Sequence, residues 1–299
     1  MRFFLTTSLI VGFTMFFSYG ANALTVAPAI TEVELDPGTT IEREVTVFNE
    51  TDQPITVSAQ VESFIPQGER GAAQITNNNQ AVRWVQLEQS TLTVAPRTAQ
   101  TVPVLITIPK TASVGGYYVA ILWQQSASGA SNVNLNGRVG ALLLITVKGE
   151  VKRSLSIDDF NIVSSGASES LRAVVSIRND GNVHVKPHGL LVIKNIFNRV
   201  VATVPINSEE GNVLPQSTRK FEVAWPTQTI SFIDIVKRVA MIRASVYAEV
   251  EYDGGMKIIS NEQNMWAVSP SLGVSLFIMT LIVLGGGLYV MRKNKKTRS

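Results

Sequence analysis

His184 and His188 are the chain's two histidines, and they stand four residues apart. On a helix that spacing would let both rings bind one metal ion, but Pro187 between them lacks an amide donor and clashes with the turn before it, which argues against a helix. On a strand the two Cα atoms lie roughly 13 Å apart at ~3.3 Å per residue, too far to share a cation easily. Asp158 and Asp159 are adjacent, so on a strand they face opposite ways and cannot work as a paired acid and base. The sequence has no cysteine. That removes thiolate zinc sites, thiol nucleophiles, c-type haem attachment and a lipid anchor on a cleaved N-terminus. It contains neither a Gly-x-Ser-x-Gly elbow nor a Gly-x-x-x-x-Gly-Lys phosphate loop. The expectation is no catalytic residue, no metal ligand, no cofactor-binding residue and no cofactor, hence a protein that is not an enzyme and has no small-molecule substrate.

Other motifs read as architecture. Leu214-Pro215-Gln216-Ser217-Thr218 is close to a sortase signal but has Ser-Thr where that signal ends in Thr-Gly, and it is read as a turn. Asn49-Glu50-Thr51 matches a glycan-acceptor triplet within a run of turn formers that ends at Pro54, and is also read as a turn. Trp84 and Trp123 could stack on sugar rings, although a single tryptophan in a sandwich is more often core.

The termini carry the topology. Residues 1–23 have Arg2, a mostly apolar stretch from Phe3 to Phe17 and Ala21-Asn22-Ala23, the pattern of a cleavable secretory signal. Ser271 to Met291 is a hydrophobic run that as a helix would cover roughly 31 Å, one bilayer crossing. Arg292, Lys293, Lys295, Lys296 and Arg298 follow it, with no acid after Glu262, so 292–299 is expected to be a basic cytoplasmic tail. Trp266 then falls in the interfacial aromatic belt. The expected localisation is the cell membrane, single-pass type I, with an extracellular ectodomain.

With these segments set aside, residues 24–270 carry 20 basic and 23 acidic side chains, a net charge of −3. A nucleic-acid partner, which needs clustered cations, is therefore not expected. Without disulfides, about 247 residues must be held by apolar cores, enough for two ordinary domains.

Two-residue alternation runs through the ectodomain. Arg43 to Asn49 puts Val45 and Val47 on one face, and Ile55 to Phe64 continues with Ile55, Val57, Ala59 and Val61. Further strands are expected at Thr91–Val94, Gln100–Ile108, Tyr117–Trp123, Val139–Val147 and Leu171–Asn179. Pro103 marks the second of these as an edge strand or the site of a bulge. Pro66 to Arg83 and Gln124 to Arg138 read as loops, and Ser231 to Met241 is the one ectodomain stretch with a helical pattern. The halves also run in parallel. A strand ends at Asn49, a polar turn follows, and Val94-Ala95-Pro96 leads into Val102, Val104 and Ile106. In the second half Asn179, a polar turn and Val213-Leu214-Pro215 lead into Phe221, Val223 and Trp225. The fold class is an all-β ectodomain of two tandem immunoglobulin-like β-sandwiches at 24–149 and 150–268, followed by one transmembrane α-helix at 271–291.

Leu35-Asp36-Pro37-Gly38, Asn49, Trp84, Val94-Ala95-Pro96, Ile108-Pro109 and Gly115-Gly116-Tyr117-Tyr118-Val119-Ala120-Ile121 together resemble the first domain of the bacterial WxL-interacting surface proteins, over roughly residues 26 to 147. The resemblance implies a first domain that contacts cell-wall peptidoglycan, a second that contacts another surface protein, and a C-terminal membrane helix. The expected function is non-enzymatic binding of peptidoglycan or a partner surface protein. The competing expectation is a membrane-bound, chaperone-like assembly factor that offers a strand edge to an exported client.

Overall fold

The computed structural model describes residues 24–76, 80–125, 137–164, 170–226, 243–266 and 279–286. The expected signal segment, the tail, the 231–241 stretch and most of the 124–138 loop lie outside the described residues. Of the expected span, residues 279–286 are described; they are helical and exposed. Among the described residues no helix is long and apolar enough to cross a membrane.

Ten strands build the first sandwich. They are β1 (Leu24–Ala27), β2 (Ile30–Leu35), β3 (Thr40–Asn49), β4 (Ile55–Gln67), β5 (Ala72–Thr76), β6 (Val85–Leu87), β7 (Thr91–Val94), β8 (Ala99–Thr107), β9 (Gly115–Gln125) and β10 (Arg138–Val147). One sheet has the order β1-β3-β8-β6; the other runs β2-β10-β9-β4-β5, with β7 also on β4. The chain changes sheets between β1 and β2, and β2 pairs in parallel with β10 from Ile30↔Leu142 to Leu35↔Val147. Alternation supplies the core between the sheets: Val45, Val47, Val57, Val102, Val104, Ile106, Ile121, Trp123 and Ile145 are all buried there.

The second sandwich has β11 (Leu155–Ser164), β12 (Ser170–Asn179), β13 (His188–Lys194), β14 (Val200–Ile206), β15 (Ser217–Pro226), β16 (Arg243–Tyr252), β17 (Met256–Ile259) and β18 (Gln263–Trp266). The sheet β11-β12-β15 faces β14-β13-β16-β17, and β18 lies end to end with β17 along β16. Val175, Ile177, Ile193, Val246 and Val250 form the centre of its core.

Two local expectations need correction. Pro66 to Arg83 is not simply a loop: Ala72–Thr76 pairs with Ser63–Gln67, and a 3₁₀ turn at Gln80–Trp84 seats the buried Ala81 and Trp84. Pro103 lies on a strand with neighbours on both sides, but β6 pairs only with Val104–Ile106. The Pro103 carbonyl accepts from Glu88 N on that side. A residue's N and O point the same way along a strand, so the missing N–H falls just past the end of β6 and breaks no ladder bond.

Asn49 and Asn179 are 1% and 0% exposed, and each ties its polar turn to the segment before the later proline. Asn49 Nδ2 donates to the carbonyls of Gln53, Val94 and Ala95, and Asn179 Nδ2 to those of Val183 and Val213. Asn49 of the triplet is thus a buried turn clamp.

Candidate interaction site at the domain junction

β9 and β10 are apolar on both faces. Inward side chains fill the first core, while Tyr118 and Ala120 of β9 and Leu144 of β10 join Phe64 in a second buried cluster on the outer face. Leu214 of the second sandwich packs against it. Apolar residues on both faces require cover on both, and the second sandwich supplies part of it. Two backbone bonds cross the contact, Gly116 N to Asn182 O (2.8 Å) and Lys220 N to Glu69 O (2.6 Å), and Lys152 N beside the connector donates to Asn182 Oδ1 (2.7 Å). Gly149 in the connector takes φ +145°, and a Cβ there would stand 2.4 Å from Val114, so this joint is a fitted corner.

Beside the apolar contact lies a cleft of about 270 Å³, lined by Glu32 and Glu34 of β2 together with Arg153, His184, Lys186, Asn212 and Asp253 among others. Glu32 is its centre. Its carboxylate accepts from Asn212 Nδ2 at 2.7 Å and pairs with Lys186 Nζ at 3.2 Å and His184 Nε2 at 3.8 Å. Arg153 bridges Glu34 (3.8 Å) and Asp253 (3.5 Å). Burial opposes ionisation of Glu32, but the bonds from Asn212 and Lys186 outweigh it and hold the carboxyl below its ordinary range. Burial pushes His184 down, more than the Glu32 charge pulls it up. The His184 ring also meets Tyr118 edge-on, with centroids 5.8 Å apart. Asn212 is 8% exposed, and its Oδ1 has no hydrogen-bond donor among the described residues. A buried acceptor left open costs about 1–3 kcal/mol, so a guest N–H would be well received here.

The sheet edges differ in how they are closed. β11 carries Asp158, Asp159 and a register break between Ile157 and Asp159. β14 has Pro205, β15 spends Lys220 N on Glu69, and β1, β5 and β6 are short. These devices blunt strand addition. β10 has no ladder partner at its start on that side: β2 begins opposite Leu142, and β1, which belongs to the other sheet, passes close to β10 without pairing with Arg138–Ala141. Leu142 N donates to Ala29 O and Lys148 N to Leu35 O, so even-numbered residues of β10 present their backbone groups toward β2. Arg138 and Gly140 therefore turn an N–H and a C=O each to the open side. Exposed Ile30 and part-buried Leu142 and Leu122 flank them.

Of the residues that sequence picked out, His184 lines the cleft, whereas His188 is exposed at the start of β13. Among the described residues no group of three His, Asp or Glu is placed to hold a metal. Asp158 accepts from Ser156 and Thr218, away from the cleft. Trp84 and Trp123 are 5% and 0% exposed and belong to the core. Sequence reasoning passed over Glu32, Lys186 and Asn212, which come from distant segments. The unbroken apolar runs Tyr117–Trp123 and Ala141–Ile145 are the signal that could have revealed a covered outer face.

No family model matches the sequence, and no curated protein matches it. Among solved structures, the chaperone–tip adhesin complex of CFA/I fimbriae biogenesis is similar at 11% identity and TM-score 0.41, over 80% of this chain and 97% of that one. The CsuC–CsuE chaperone–tip subunit pre-assembly complex of Acinetobacter baumannii gives 12% and 0.39 over 79% and 97%. The E. coli chaperone DraB gives 14% and 0.36 over 82% and 98%. At these values the superposition is loose, and what this chain binds is a matter for its own surfaces.

Proposed function

We propose that the chain is a non-enzymatic, membrane-anchored assembly or holding factor that binds an extended segment of an exported protein at the open half of β10, beside the junction cleft. A guest strand there would bond Arg138 and Gly140 and continue the line of β2, so that its backbone supplies affinity and Ile30, Leu122 and Leu142 supply side-chain contact. The single observation that carries this reading is the stretch Arg138–Ala141 without a ladder partner on the β2 side, on a sandwich pair whose β11, β14 and β15 edges are blunted. The anchor in this proposal is the apolar run 271–291 with its basic tail, and the ectodomain faces the cell exterior. The resemblance to WxL-interacting proteins supports an exported partner. Peptidoglycan is the weaker ligand, because both tryptophans of the first sandwich are interior and neither is available to stack on sugar.

A photocrosslinking residue at position 140, in the full chain on intact cells, should capture a discrete exported protein. One at Ile65, exposed on the far rim of the same sheet, should not. In parallel, residues 24–268 are mixed with purified peptidoglycan and sedimented. Sedimentation with the wall and no crosslink at 140 would replace this reading with glycan attachment.

A further inference from the structure

The end of the second sandwich remote from the first is built unlike the end that meets it. β16 runs from Arg243 to Tyr252, and Tyr252 lies next to Asp253, which pairs with Arg153 at the junction. The other end is roughly 30 Å away at ~3.3 Å per residue. There the register sets Lys194 opposite Ser245, Ser245 opposite Asn264 and Arg243 opposite Trp266. The tip of the β13–β14 hairpin and the close of β18 therefore share one end of one sheet.

That tip is apolar and held in shape. Ile196, Phe197 and Val200 are 52%, 67% and 55% exposed. Asn195 Oδ1 accepts from the amides of Phe197 (3.0 Å) and Arg199 (3.1 Å), and Asn195 N donates to Arg199 O (2.9 Å). Asn198 takes φ +57°, which asparagine tolerates. A closed turn thus fixes the two large side chains outward. Lys194 and Arg199 flank them, and from Leu190 to Pro205 the hairpin holds no acid. After Trp266 only Ala267 to Pro270 precede the apolar run that begins at Ser271. Five Cα steps span at most about 18 Å at ~3.6 Å each, so a bilayer holding that run stays within reach of the tip.

We propose that the β13–β14 tip seats the ectodomain on the membrane. Ile196 and Phe197 enter the interfacial zone of the bilayer, and Lys194 and Arg199 lie at the level of anionic lipid headgroups. This rests on the membrane anchor of the function proposed above. With a second contact beside the span, the sandwich stands on the bilayer instead of swinging on a short tether, and the junction cleft is directed away from it.

The chain lacks cysteine, so one introduced thiol reports one place. Phe197→Cys in the full chain, labelled with a polarity-sensitive fluorophore and reconstituted in vesicles of three parts phosphatidylcholine to one part phosphatidylglycerol, should show blue-shifted emission and about two-fold quenching by a nitroxide lipid of shallow depth. Ile65→Cys on the first sandwich should show neither, and Ile196→Cys should repeat the Phe197 result if the first variant folds poorly. Vesicle flotation separates the two premises. A chain that floats while the position 197 label behaves like the position 65 label keeps its anchor and overturns the seating. A chain that does not float removes the anchor, and the seating falls with it.

Discussion

The two sandwiches each close one ten-residue strand, β3 or β12, with the same device and use it for different ends. Asn49 and Asn179 each terminate such a strand, each bonds the carbonyl four residues on, and each bonds the valine carbonyl two residues before a proline. The residue after each proline, Arg97 or Gln216, adopts a positive φ of 55° or 54°. In the first sandwich the clamped turn is edged by the exposed Asp52–Arg97 pair. In the second, the turn after Asn179 supplies Asn182, which bonds Lys152 and Gly116, and Leu214 of the clamped segment packs against the cluster of Phe64, Tyr118, Ala120 and Leu144. One corner motif therefore finishes a sandwich in one place and forms a joint in the other. What separates the two roles is the set of residues around the turn.

That contrast is most strongly tested by removing the clamps one at a time. Asn49→Ala removes the donor to the carbonyls of Gln53, Val94 and Ala95, of which Gln53 O keeps Thr51 Oγ1 and Ala95 O keeps Thr98, and removes the acceptor of the Thr51 amide. Asn179→Ala removes the donor to Val183 O and Val213 O, of which the latter keeps Val185 N, and the acceptor of the Gly181 amide. With ~1–3 kcal/mol for a buried group left unpaired, each should cost about 3 kcal/mol. In calorimetry of residues 24–268, Asn49→Ala should lower only the transition of the first sandwich. Asn179→Ala should lower the second and also expose Gly149–Arg153 to limited proteolysis. Equal protease resistance in the two variants would mean that the Asn179 turn has no part in the joint.

A smaller effect should separate the junction from the cores by pH. His184 and Glu32 both bind protons less readily when packed than their ordinary values imply. As pH falls below ~6.5 the unfolded chain takes up an imidazole proton that packed His184 refuses, and near ~4.3 the same holds for the Glu32 carboxyl. Their stabilisation is complete at neutral pH and is lost on acidification. The thermal midpoint should fall between pH 7 and 5, and His184→Gln should flatten that slope. A slope unchanged in the variant would place the acid sensitivity elsewhere.

The strands were legible because a half-buried sheet forces alternation, and the Asn49/Pro96 and Asn179/Pro215 parallel was visible as a recurring order of elements. β5 escaped because Ala72–Thr76 buries none of its residues completely, so no apolar rhythm marks it. β1, β2, β6, β11, β13, β14, β16, β17 and β18 were not singled out in the sequence either. The cleft could not be read at all: Glu32 and Asn212 are 180 residues apart, and an ordinary glutamate on a strand gives no local sign of its partner. Wholly apolar runs on β9 and β10 carried the one usable hint, that both faces of that sheet are covered.

The finest contrast lies within a single strand. In β10 the amides of Val139 and Ala141 point toward β9, and that of Leu142 is bonded to Ala29 O, while those of Arg138 and Gly140 face the open side. Residue-resolved hydrogen exchange on residues 24–268 should show Arg138 and Gly140 fast beside slow Val139, Ala141 and Leu142, since exchange follows the bonding of each amide. Strand addition by a partner should slow Gly140 more than about ten-fold and leave Val139 unchanged, because only the outward groups gain a bond. Glycan binding at a loop would leave the alternation intact. If Gly140 is already as protected as Leu142 in the free chain, the edge is filled by the chain's own residues, and strand addition there is ruled out.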